Sequence, residues 1–445
     1  MPSFQQAEIC VEIISRKRKG HDMARDVIFS SVDLGTSKTT TLVSRLDRND
    51  TPELMGIGIA ESAGVRRGAV VNIEEAESAV RQSIDEAARS SGVSPTQAFV
   101  NVTGDHLEFN VRWGSVRSPY YNAPITADAL HRSIQAVAPP DLPPEKQLLH
   151  VEPQGYAVDG LKGIRNPIGM HALRLDLEAL CVVGATGPIK SLDRVLQSNK
   201  IDVKGLVMAP LSAGESVLTR DEKEMGVVLV EIGGGTTAVS IYQGGHLVNA
   251  SILPVGGYQF TTDLAVALNS PFDVAEELKL RFGHVIPEEI GDEAVAVEAF
   301  GDRRTVKVDR REICRYLHER AEEVLRLVAL KVHDFGFPTM LPAGVVLTGG
   351  GANLQGIEKL ARRTFNKPVR KGSPAGLNGL PDGLQDPSYA ATVGALLWGV
   401  HKCGSSALAR AGAHMPLGTS IPMDSRNTAS LFGWLRGRVL GPVAK

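Results

Sequence analysis

The chain has 445 residues, of which 43% are hydrophobic and 22% charged, with a formal net charge of −2. The length allows about three ordinary domains with their own cores, and the near-neutral balance excludes a global field drawing the protein to nucleic acid or anionic lipid. No stretch approaches the roughly 20 apolar residues of a bilayer span and no secretory pattern is visible. Four scattered cysteines (Cys10, Cys181, Cys314, Cys403) lack metal-ligand spacing and are expected to be free thiols.

Residues 1–24 carry no fold pattern. Their basic run, Arg16-Lys17-Arg18-Lys19, reads as a solvated arm, or as sequence upstream of a true start at Met23. A first half spans 25–104. It opens with an apolar strand ending in Asp33, then Gly35, Thr36, Ser37 and Lys38, then a second β-branched strand over 39–43. Glycine lets such a turn approach a ligand closely, and its backbone N–H groups can converge on an anion. Strands over 54–60 and near 65–72, a helix over 73–89 with Gly92 just beyond it, and a buried strand over 98–104 follow. Between 105 and 186 the texture changes. Prolines cluster at 139, 140, 143 and 144, and short β-like runs flank one helix over 127–137, which reads as a compact α+β insertion. Residues 187–211 return to the first half.

The second half, 212–402, repeats the opening plan. The apolar run 227–232 carries Glu231 and is followed by Gly233, Gly234, Gly235, Thr236 and Thr237, then by an alternating strand over 238–242. This is a hairpin. Gly233, Gly235 and Ala238 have dinucleotide-fingerprint spacing, but that motif must open a helix, and no Gly-Lys-Ser/Thr is present for a P-loop. Glu231, at the strand end, could hold a metal ion through water, and it lies 198 positions after Asp33, which suggests a duplication with a nucleotide clamped between the halves. Glu276 and Lys279 share a helix face at i,i+3; the bland reading is a surface ion pair worth a few tenths of a kcal/mol. Residues 285–309 are acidic and β-like, and 312–333 form a long amphipathic helix. A third glycine loop, Gly349-Gly350-Gly351 with Asn353, joins a strand to a helix over 354–363. A core helix over 390–401 precedes a Gly/Ala/Ser/Pro-rich linker, 403–427. In the final segment, 428–445, Leu431, Leu435 and Val439 form one stripe with Phe432 and Trp434 beside it, and Arg436 and Arg438 supply positive charge. This is an amphipathic helix for a lipid interface, or a tail docked on its own domain.

The loops at 33–38, 231–237 and 347–351 resemble the two phosphate loops and the adenosine loop of the actin and sugar-kinase superfamily. With the stretches 150–159, 163–169, 216–222 and 254–263, the insertion and the tail, the chain more narrowly resembles the FtsA family of bacterial cell-division proteins. The resemblance implies an α/β actin-like (ribonuclease H-like) duplicated fold with an SHS2-type insertion. It implies ATP in the cleft, Mg²⁺ near Asp33 and Glu231, phosphates at the first two loops and Lys38, adenosine at the third loop with Asn353, and Glu276 and Lys279 on the ribose and adenine side. It also implies FtsZ's C-terminal peptide as a partner on the second half, self-association into filaments, other division proteins on the insertion, and a peripheral place on the cytoplasmic face of the membrane at the division site. Two departures stand out: Glu231 where the family usually has Asp, and Ala238 where the loop usually has Asp. Nor does the segment 208–213, with Ala209 at the expected position, offer a Gln or Glu to orient an attacking water, so ATP turnover is expected to be weak at most. A pilus-assembly actin-like adaptor and a phosphotransferase of the same superfamily are the alternatives.

Overall fold

The computed structural model describes residues 27–47, 51–118, 123–300, 305–337 and 341–409. The expected arm (1–24) and the lipid-type tail (428–445) lie outside them. In chain order, the first half contributes strands β1 (Ile28–Leu34), β2 (Lys38–Leu46) and β3 (Pro52–Glu61), helix α1 (Ile73–Ser91) and strand β4 (Gln97–Val102). Asn72 caps α1 by accepting from the N–H groups of Glu74 and Glu75, and Gly92, at φ 71°, closes it. Ala76, Ala79, Val80, Ser83, Ile84 and Ala87 form its buried face.

The insertion holds β5 (Leu107–Arg117), α2 (Ala127–Val137), β6 (Lys146–Val158), β7 (Leu161–Ile164) and β8 (Arg174–Ala185). Its sheet runs β7-β6-β8-β5. Leu107 pairs with Gly184, so the two connections to the host leave side by side. That adjacency lets a separate core, built around Leu130, Ile134, Val151 and Leu177, form without disturbing the host sheet.

The chain returns through α3 (Thr186–Ser198), β9 (Asp202–Met208) and α4 (Ala209–Val217), then α5 (Arg220–Met225). The second half contains β10 (Val227–Ile232), β11 (Thr237–Gln243), β12 (His246–Leu253), α6 (Gly257–Ala267), α7 (Phe272–Phe282), the hairpin β13 (Ala294–Glu298) and β14 (Thr305–Asp309), α8 (Arg310–Asp334), β15 (Val345–Thr348), α9 (Ile357–Phe365), β16 (Val369–Lys371) and α10 (Ala390–Ala409). The α10 helix continues past Cys403, where the linker was expected to begin. The helix after the third glycine loop starts at Ile357, because Gly350–Asn353 first form a 3₁₀ turn.

The duplication is explicit in the sheets. The first is ordered β9-β4-β1-β2-β3 and the second β16-β15-β10-β11-β12. In each, an antiparallel hairpin (β1–β2; β10–β11) extends a parallel pair (β1–β4; β10–β15). Parallel strands buried on both faces read as continuous apolar runs, which is why Val227–Ile232 signals a central strand. Helices α4 and α10 pack closely at the junction of the halves. Cys181 and Cys314 are buried free thiols. Cys403 is disulfide-bonded, which corrects the expectation of four free thiols; scattered spacing in the chain does not decide which sulfurs meet in space.

Candidate functional site

Both phosphate-type loops close by the same bond. The Gly35 N–H donates to the Lys38 carbonyl at 3.2 Å, and the Gly233 N–H donates to the Thr236 carbonyl at 2.8 Å. Each pair is separated by three positions, and the pairs keep the 198-residue offset of Asp33 and Glu231. The loops face each other: a Cβ at Gly235 would stand 2.7 Å from Thr36 Oγ1 and 3.0 Å from the Arg67 nitrogen. A side chain there would have to displace the Thr36 hydroxyl and press on the Arg67 backbone. Thr103 and Thr236 hydroxyls meet at 3.4 Å across the same gap.

Between the halves opens a cleft of about 880 Å³. Asp33, Gly35, Thr36, Ser37, Lys38, Glu231, Gly233, Gly234, Gly235, Thr236, Glu276, Lys279, Gly349, Gly350, Gly351 and Asn353 all line it. Thr237 does not. Its buried hydroxyl donates to the Val255 carbonyl at 2.8 Å, so this expected ligand contact is corrected: strand side chains alternate, and Thr236 takes the cleft face while Thr237 faces inward.

Asp33 ends the first central strand and accepts 3.0 Å bonds from Asn101 and Thr392. Burial raises its carboxyl above the ordinary range, opposed by those two bonds and by Lys38. Glu231 stands in the equivalent place. Burial first, and then the charge of Asp33, pushes its carboxyl up to about 8. Its strand neighbour in register is Thr348, whose hydroxyl goes to the Gly372 carbonyl, and Glu231 Oε2 is buried with no hydrogen-bond partner among the described residues. Two mutually repelling carboxyls, one with an orphaned oxygen, fit a divalent cation. Among the described residues no three His, Cys, Asp or Glu converge.

Lys38 donates to Ser388 Oγ at 2.7 Å and lies 3.3 Å from the centre of the Tyr389 ring. Burial brings its ammonium down to about 8 against the pull of Asp386 and Asp33. Asp386 accepts both Asn353 Nδ2 bonds, at 2.9 and 2.7 Å, tying the third loop to the segment before α10. Gly349 holds φ 79°, and a Cβ there would stand 2.5 Å from the Ile232 carbonyl, so the third loop lies directly against the end of β10. Glu276 and Lys279 pair at 2.6 Å, and Lys279 also donates to Thr261 Oγ1 at 2.9 Å and the Gly257 carbonyl at 3.2 Å. Their pairing is a positioned cleft network and more than a solvated surface contact. The Gly257 and Tyr258 N–H groups, opening α6, donate to the carbonyls of Gly233 and Gly234 at 2.9 and 2.7 Å, which clamps the second loop.

Sequence reasoning missed Arg66, Asn101, Thr103, Tyr258, Phe272 and Ser388 at this cleft. Asn101 had a signal, as a lone polar residue in an apolar strand. The others meet only through folding.

A family model described as cell division protein FtsA matches residues 228–394, and one described as the SHS2 domain inserted in FTSA matches residues 104–183. The cell division protein FtsA of Pseudomonas aeruginosa is 34% identical over 374 residues, covering 83% of this chain and 89% of that protein. FtsA of Bacillus subtilis is 31% identical, covering 84% and 83%, and that of Escherichia coli K12 is 30% identical, covering 91% and 95%. Among solved structures, a PilM–PilN type IV pilus biogenesis complex aligns with a TM-score of 0.60 at 15% identity, over 84% of this chain and 98% of that one. This likeness concerns the fold alone.

Proposed function

The chain belongs to the FtsA family of cell-division proteins, with its actin-like duplicated fold and SHS2 insertion, and from that premise we propose that it is an ATP-binding adaptor of the division ring. The observation that carries the nucleotide reading is the pair of equivalent glycine hairpins facing one another across the cleft, with Asp33 and Glu231 at matching positions. In this reading the loops around Gly35 and Gly233 hold phosphates, and Lys38 adds charge to the first. The third loop and Asn353 seat the adenosine, and Glu276 and Lys279 lie on its ribose side. Mg²⁺, when bound, neutralises phosphate charge between the halves. Asp33 and Glu231 orient its water shell.

Ala209, the first residue of α4, lines the cleft with a side chain that cannot orient a water. ATP therefore acts as a polymerisation or structural switch that is hydrolysed slowly. Binding both halves at once is what links the nucleotide to filament-forming conformations. We further propose that the second half takes FtsZ's C-terminal peptide, that the insertion meets other division proteins, and that the tail carrying Leu431, Phe432, Trp434, Leu435, Arg436, Arg438 and Val439 anchors filaments to anionic lipid on the cytoplasmic face. Among the described residues no helix is long and apolar enough to cross a membrane. The pilus-adaptor alternative is not favoured, because the relatives at 30–34% identity are division proteins.

Co-sedimentation with anionic liposomes, with and without Mg-ATP, tests the adaptor reading. Full-length protein is expected to pellet with lipid and a truncation at Thr428 to stay soluble, with ATP strengthening the difference through filament avidity. Equal behaviour of the two forms would remove the anchor.

A further inference from the structure

Among the described residues the cleft walls carry three cations, Lys38, Arg66 and Lys279. Lys38 is held by Ser388 within the pull of Asp386 and Asp33, and Lys279 is ion-paired with Glu276. Arg66 has no acidic partner among the described residues. Its guanidinium donates to the Tyr258 hydroxyl at 3.1 Å and sits 5.5 Å from the centre of that ring. This contact crosses the cleft, from the first half to the residue whose own N–H grips Gly234 of the second phosphate loop.

The backbone under Arg66 is fixed. Residues 64–72 form a strap closed at its base by the Val71 and Asn72 N–H groups donating to the Gly64 carbonyl. Within it the hairpin Val65–Arg66 and Ala69–Val70 turns through Arg67 at φ 50° and Gly68 at φ 78°, the pair of left-handed residues a tight hairpin favours. Its tip lies against Gly235 and Thr103. Val65 is buried and anchors the strap, while the Arg66 side chain is exposed at the mouth. Only that side chain needs to move.

We propose that Arg66 is a phosphate-binding residue of this cleft, exchanging the Tyr258 ring for the phosphate chain of a bound nucleotide. The inference rests on the nucleotide reading and adds a residue to it. A planar guanidinium meets phosphate oxygens bidentately, and charge-assisted hydrogen bonds are roughly twice as strong as neutral ones. A tyrosine hydroxyl and ring face at an exposed site compete weakly. The exchange carries a first-half cation onto a ligand that the second half also grips. The Tyr258–Phe272 ring pair, 4.8 Å between centres, remains as the opposite lip.

Full-length wild type, R66A, R66K and Y258F are titrated with Mg-ATP and with AMP by calorimetry, with ligand-free melting curves as the folding control. R66A is expected to weaken Mg-ATP about tenfold while AMP changes little. R66K should recover part of the loss, since it restores charge without the fork. Y258F, lacking the competing hydroxyl, should bind Mg-ATP at least as tightly as wild type. Unchanged Mg-ATP affinity in R66A, or an equal loss for AMP, would overturn the assignment of Arg66 alone. A wild type that binds neither ligand would overturn the nucleotide reading and this inference together.

Discussion

Asp33 and Glu231 stand at equivalent ends of the two central strands, and burial raises both carboxyls. Their surroundings differ. Asp33 is satisfied by Asn101 and Thr392, whereas Glu231 keeps a buried oxygen without a partner. An unsatisfied buried acceptor carries a desolvation cost of about 1–3 kcal/mol. In the proposed reading a bound cation with its waters would relieve that cost, and Glu231 is the residue on which it would act most directly.

Glu231→Gln therefore separates metal dependence from folding. The variant is expected to melt at or slightly above the wild-type temperature without ligand, because it removes a carboxyl that faces Asp33. Mg²⁺ should enhance its ATP binding roughly tenfold less than in wild type. Retention of the full Mg²⁺ effect would place the metal elsewhere.

Gly349→Ala tests the third loop. The residue holds φ 79°, and the added methyl carbon would stand 2.5 Å from the Ile232 carbonyl. With ψ at 167° this backbone is essentially open to glycine alone and costs another residue on the order of 1–3 kcal/mol, and the contact adds to it. We expect a lowered melting temperature and loss of ATP binding even well below it. Wild-type melting and affinity together would show that the loop relaxes freely.

Ala209→Gln asks whether the missing water-orienting group limits turnover. Ala209 is buried at the start of α4 and lines the cleft. Supplying an amide there is expected to raise ATP hydrolysis at least roughly tenfold, measured as phosphate release. A variant that binds ATP normally yet hydrolyses it no faster would shift the limitation to another part of the site.

Glu215, on α4, predicts a pH dependence away from the cleft. Burial opposes its ionisation, but hydrogen bonds and charge from His401 and Lys223 outweigh that and bring its carboxyl down to about 2, from 4.5. A depressed acid contributes stability that is fully present above the unfolded value and is lost as pH falls toward the folded one. The window is therefore about 4.5 to about 2, and the contribution is on the order of 3 kcal/mol. Glu215→Gln should be less stable than wild type near neutrality, with the gap closing across that window in denaturant melts. A gap that stays constant with pH would exclude this linkage.

Much of the architecture was legible because the signals are local. Each glycine hairpin combines an apolar strand, an acid, glycine and hydroxyls within about ten consecutive residues, and both copies show them. The insertion was legible through its change of texture, and α1 through its 3.6-residue periodicity and flanking Gly92. The start of the helix after Gly349–Gly351 was misplaced, because the same glycines that free the loop also permit the 3₁₀ turn before Ile357. Thr237 was misassigned because composition names the hydroxyls, while the strand's twofold alternation decides which one reaches the cleft.

By itself the sequence determined the two half-domains, their glycine loops and the acids at matched positions, since these depend on backbone propensity and short-range spacing. Only the tertiary structure decided which side chains share the cleft. Lys38 meets Ser388 and Tyr389, Thr392 meets Asp33, and Arg66 reaches Tyr258. These partners are remote in the chain. The packing of the two halves around α4 and α10 brings them together, and no local pattern of residues encodes that approach.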